Sequence, residues 1–97
     1  MKNRGYIIGK ESEEIKMLAY KAVSANNKKS AKYFINRLDF MQRTLDIYLY
    51  KRNVFAELVS YVIAASRQVR DKEHWIDAVN QNLLKLEPFS EDIGGMK

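Results

Sequence analysis

The sequence contains no cysteine, one histidine, one proline and only four glycines in 97 residues. Each scarcity removes a class of function. Without cysteine there is no disulfide framework, no thiol nucleophile and no thiolate metal site, a composition that fits a reducing, cytoplasmic setting. A lone histidine leaves imidazole chemistry with a single donor. Long hydrophobic runs are missing too: the uncharged stretch from Leu58 to Ala65 falls far short of the ~20 residues that span a bilayer. Lys2 and Arg4 precede an apolar segment of only Tyr6, Ile7 and Ile8, too short for a secretory signal.

Negative charge is missing locally. From Ile15 to Leu38 there is no Asp or Glu, whereas Lys16, Lys21, Lys28, Lys29, Lys32 and Arg37 all fall in that window. From Asp39 onward the chain carries eight basic and nine acidic residues, so the net charge of +5 comes from the window. What is present in quantity is apolar: 46% hydrophobic residues, with six tyrosines, four phenylalanines and one tryptophan. That composition supports one folded domain with a core of its own.

The stretch from Ser30 to Arg70 has neither glycine nor proline, and it organises the rest. Phe34, Met41, Tyr48, Phe55, Val62 and Val69 recur every seventh residue, and Leu38, Leu45 and Val59 widen the row into a helical stripe. A strand would alternate in twos, and this stretch does not. Ahead of it, Ser12 is the expected cap of a first helix. Glu13 and Glu14 would then suit the positive end of the helix dipole, and Ile15, Leu18, Ala19, Ala22 and Val23 would form one face. Asn26 and Asn27 should end that helix.

A second helix is expected from the cap Ser30 to about Lys51. It is apolar over more than half its circumference, with Tyr33, Phe40 and Ile47 on one flank, Ile35 and Leu49 on the other, and Asp39, Asp46 and Asn53 marking the wet side. Such a helix suits the centre of a bundle or an oligomer interface. Lys51-Arg52-Asn53 is the expected break, with a third helix from Val54 to Arg70. The competing reading is one rod of about forty residues, roughly 60 Å long, which only a dimer could cover. Asp71 is the expected cap of the last helix, with Glu73 in its first turn, Trp75 or Ile76, Val79, Leu83 and Leu86 inward, and Pro88 ending it. The expected fold is all-α: a small antiparallel bundle of about four helices, with a homodimer left open. Residues 1–10 would form a flexible or short extended arm, 11–87 the bundle, and 88–97 a mobile tail.

Chemistry has little to build on. His74 shares a helical turn with Asp71, Glu73 and Asp77, but a first turn rich in acids is what the helix dipole favours without any metal or general base. Asp39 precedes Arg43 by four residues, the spacing of a surface ion pair. There is no phosphate-binding glycine loop, no nucleophile elbow and no metal-ligand spacing, so the sequence calls for no enzyme activity and no cofactor. The six tyrosines divide into Tyr48 and Tyr61, expected to be buried, and Tyr20, Tyr33 and Tyr50, expected to be exposed.

The acid-free window carries the functional expectation. Lys21 and Lys28 complement the end of the first helix, but Lys29 and Lys32 stand where the second helix already turns exposed N–H groups outward. Together with Arg37 they would form an anion-binding surface for nucleic acid or an acidic protein, although a lysine-rich solvated face would look the same. A helix-turn-helix reader is disfavoured, because the second helix is too long and too apolar and no glycine marks the turn. The sequence therefore predicts a non-enzymatic regulatory binding protein with nucleic acid as the favoured partner. The alternative is a protein-binding adaptor, inhibitor or chaperone, working through Tyr33, Phe40, Ile47 and Tyr50, with or without homodimerisation. No small-molecule substrate is indicated.

Overall fold

In the computed structural model, which describes residues 7–67 and 70–86, four helices follow one another: α1 (Gly9–Val23), α2 (Lys28–Thr44), α3 (Leu49–Arg67) and α4 (Lys72–Lys85). Among the described residues there is no β-strand, and no helix is long and apolar enough to cross a membrane. The forty-residue rod is not formed. Successive helices pack on one another, α3 most extensively against α4 and α1 against α2, and α1 also touches α3.

α1 buries the predicted face in full: Ile15, Leu18, Ala19, Ala22 and Val23. Its start lies earlier than Ser12. Ile8 stands at the cap position, and the Glu11 carboxylate reaches back to accept its N–H at 3.2 Å, so the cap bond runs in reverse, from a side chain inside the helix. Ile7, just before it, is completely buried in the core, and this part of the expected arm is therefore anchored. Residues 1–6 and 87–97, including Pro88 and the expected mobile tail, lie outside the described residues.

α2 also starts early. Asn27, not Ser30, is its cap, with Oδ1 accepting the Ser30 N–H at 2.8 Å. Asparagine caps at least as well as serine, and this choice adds a turn of helix. The end of α2 corrects the expectation more sharply. The chain leaves the helix at Leu45 and re-enters it at Leu49, so Ile47 and Tyr48 lie in the connection and Lys51, Arg52 and Asn53 are inside α3. Two forces set the break. Ile47 drops into the core, and the Arg52 guanidinium donates to the carbonyls of Gln42 and Leu45, the second at 2.5 Å, closing the C-terminal end of α2.

That break reverses the expected roles of the two long helices. α2 fully buries only Ala31 and Leu38, whereas α3 buries Lys51, Val54, Phe55, Leu58, Val59, Val62 and Ala65. α3 is the central helix. The core joins Phe55, Leu58 and Val62 to Leu38 of α2, Ile15 of α1, Val79 of α4 and Leu86 just after it, with Phe34, Ile35, Met41 and Ile63 packed around it. Val69 is outside the described residues. Tyr48, expected inside, is exposed, because the seven-residue row loses phase where the helix stops. Tyr61 is half-buried and packs on Trp75 with ring centroids 5.8 Å apart, pinning α3 to α4.

α4 begins after Asp71, whose side chain makes no capping bond, and carries Glu73 in its first turn. Asn82 is its one buried polar residue, and its Nδ2 donates to the Val54 carbonyl at 3.1 Å and to Glu57 Oε1 at 3.3 Å. A buried amide left without partners would cost about 1–3 kcal/mol, so this pair of bonds fixes the register of α4 on α3.

Candidate nucleic-acid interface

The cations of this chain divide into those with partners and those without. Three of them leave their own helix to close the C-terminal end of another, where unpaired carbonyls and the dipole favour positive charge. Lys72 Nζ donates to the Val23 carbonyl of α1 at 3.2 Å, Arg52 closes α2, and Lys51 Nζ donates to the Lys85 carbonyl of α4 at 2.6 Å. Lys51 is buried to 4% exposure, so it is fixed in place. Arg43 pairs with Asp39 at 3.2 Å, as the four-residue spacing predicts, and Arg37 approaches Glu14 of α1 at 3.8 Å. Lys21 lies over the Phe34 ring, 5.8 Å from its centroid.

Lys28, Lys29, Lys32 and Arg67 belong to the second group, as do Lys10, Lys16, Arg70 and Lys85. Their side chains have no hydrogen bond or ion pair among the described residues. Lys28 and Lys29 open α2, where two of its unbonded N–H groups also point outward and no acid occupies the first turn. Two positive charges at that end cost a few tenths to about 1 kcal/mol each, so intrinsic helix stability does not account for them.

An open groove of ≈ 750 Å³ brings three of these cations together. Its floor is apolar, made by Ala31, Ile35 and Ile63. Its walls carry Lys28, Lys32 and Arg67 with the amides of Asn26, Asn27 and Asn36. No carboxylate lines it. A polyanion entering this groove would meet charges and amide donors without displacing an existing ion pair. A second, smaller cleft of ≈ 210 Å³ lies between α1 and α4, where the Tyr20 hydroxyl bonds Asn80 Oδ1.

Of the residues singled out from sequence, Lys28, Lys29 and Lys32 fall together at the start of α2. Lys21 and Arg37 lie farther along the α1–α2 pair and already have partners. Tyr33 and Phe40 are both about 60% exposed on α2. Ile47 leaves that set, being core, and Tyr50 stands apart in the first turn of α3 beside exposed Tyr48 and Leu49. His74 is exposed and meets the edge of Trp75, with centroids 4.9 Å apart, and among the described residues no group of acids, histidines or cysteines is arranged to hold a metal. Sequence reasoning missed Arg67. It lies 35 residues beyond Lys32, and only the return of α3 along α2 brings the two to one groove. Compared with models of known protein families, with curated proteins and with solved structures, the chain matches none.

Proposed function

We propose that this protein is a non-enzymatic, regulatory binding module, an antiparallel bundle of four helices that takes up nucleic acid on the surface formed by the α1–α2 turn, the start of α2 and the end of α3. The observation that carries the reading is the groove in which Lys28, Lys32 and Arg67 converge without one carboxylate among its lining residues. Phosphates are the ligand chemistry that best suits such a site, because each lysine or arginine that meets one releases condensed counterions. Lys29, beside the groove and equally unpaired, extends the same field. The test is titration of a labelled mixed-sequence oligonucleotide by fluorescence anisotropy. Wild type should bind at low salt, and Lys28→Glu with Lys32→Glu and Arg67→Glu should weaken binding at least ~100-fold while the melting temperature stays close to wild type. Equal binding by the triple variant would refute the assignment of this surface.

A second reading rests on a separate patch. Tyr48, Leu49 and Tyr50 are consecutive and 55%, 71% and 61% exposed, an apolar cluster of the kind that meets another protein or a second copy. If it forms a homodimer, light scattering will give twice the chain mass, and Leu49→Glu will return the monomer.

A further inference from the structure

α2 presents one fully exposed arc, and its composition points beyond phosphate binding in general. At 100° per residue, Lys29, Lys32, Tyr33, Arg37, Phe40 and Arg43 all project within ~140° of one another, and each is exposed. Asn36 and Thr44 fill the remaining positions of the arc, so it contains no acid. Glu14 and Asp39 approach only its edges, through the Arg37 and Arg43 pairs, and such exposed pairs are weak. Lys32 and Asn36 belong both to this arc and to the groove, so the two surfaces are continuous.

The rings are the part that phosphates do not explain. Tyr33 and Phe40 are seven residues apart, which places them on the same line of the helix about 10.5 Å apart along its axis. Tyr33 is held in position by the edge of Phe34, with centroids 5.2 Å apart and planes at 75°, yet remains 58% exposed. A duplex keeps its bases stacked on one another and has no use for two outward rings flanked by cations. A single strand does. Its bases can stack on aromatic side chains while lysines and arginines follow the backbone. The spacing of the two rings is about three times the ~3.4 Å step of one strand, so bases some three nucleotides apart would meet them, or fewer in a stretched strand.

We infer that the α2 face binds single-stranded nucleic acid, Tyr33 and Phe40 each stacking on a base, with Lys29, Lys32, Arg37 and Arg43 along the phosphates. The inference rests on the nucleic-acid reading above and narrows it to unpaired strands.

The experiment compares a labelled thirty-nucleotide oligo-dT, which does not fold on itself, with a duplex of equal length, using wild type, Tyr33→Ala, Tyr33→Phe, Phe40→Ala and Phe40→Leu. Both rings are on the surface, so thermal melting should report folded protein in every case. Expected is tighter binding of oligo-dT than of duplex. Each alanine variant should weaken oligo-dT binding about five- to a hundredfold and leave duplex binding unchanged. Tyr33→Phe should behave as wild type, and Phe40→Leu as poorly as alanine. Equal affinity for strand and duplex, untouched by loss of either ring, would overturn this inference and leave the nucleic-acid proposal standing. Full recovery of oligo-dT binding by Phe40→Leu would mean apolar contact instead of stacking and would overturn the role assigned to the Phe40 ring. Failure to bind either form would overturn both proposals.

Discussion

At the scale of single residues, the decisive distinction is between cations that hold the fold and cations that do not. Lys51, Arg52 and Lys72 look like any other surface charges in the sequence, yet each donates to a carbonyl at the end of a different helix. Arg52 is the most consequential, because its two donors close α2 at Gln42 and Leu45. Hydrogen bonds from charged donors contribute about 1.5–3 kcal/mol, so Arg52→Ala should lower stability by that order. For a domain this size each kcal/mol moves the melting temperature by about 4–8 °C, which calorimetry resolves easily. Arg52→Lys should recover only part of the loss, since one ammonium lacks the planar fork that serves two carbonyls. An unchanged melting temperature in Arg52→Ala would mean that water closes this helix end equally well. None of this was legible in the sequence. Lys51-Arg52-Asn53 reads locally as a break, and only the partners, up to 34 residues away, make the first two of them fasteners.

At the scale of helices, the apolar pattern located every element and most of the inward faces. Ile15, Leu18, Ala19, Ala22 and Val23 are all buried, as are Phe55, Leu58, Val59 and Val62, because i, i+3, i+4 spacing leaves a chain without glycine or proline few other ways to hide them. The ends were less legible. Helix termini are fixed by a few side-chain bonds whose donors and acceptors compete, and Glu11 and Asn27 prevailed over Ser12 and Ser30. The misplaced end of α2 then misassigned Ile47 and Tyr48 and made α2 look central. One consequence can be tested at the start of α1. Gly9 is the first residue of the helix, and a Cβ there would meet nothing within 4 Å. Gly9→Ala should therefore stabilise the protein by about 0.4–1 kcal/mol, mainly by restricting the unfolded chain. Chemical denaturation should show a higher midpoint with an unchanged slope. A lower midpoint would indicate that glycine is needed at this helix start.

At the scale of the molecule, charge is segregated. The fold uses six of its cations to close helices or to pair with carboxylates and an aromatic ring. Of those left without partners among the described residues, Lys28, Lys32 and Arg67 line one groove, with Lys29 next to Lys28 in the chain. The lysines of this site were legible because an acid-free window is visible in the sequence itself. Arg67 was not, since nothing local marks a residue that three-dimensional packing will bring beside Lys32. The exposed α2 arc was half-legible: Tyr33 and Phe40 were seen as one flank and the lysines as another, and their union depends on which part of α2 the rest of the fold leaves uncovered. The most direct test of the nucleic-acid account is the dependence of oligo-dT affinity on salt. Wild type should give a log–log slope of about −4, corresponding to about six phosphate contacts across the groove and the α2 arc at ~0.7 per contact on a single strand, and Lys28→Glu with Lys32→Glu and Arg67→Glu should flatten it by about 2. A wild-type slope near zero would contradict the account, because binding that ignores salt does not run through these charges.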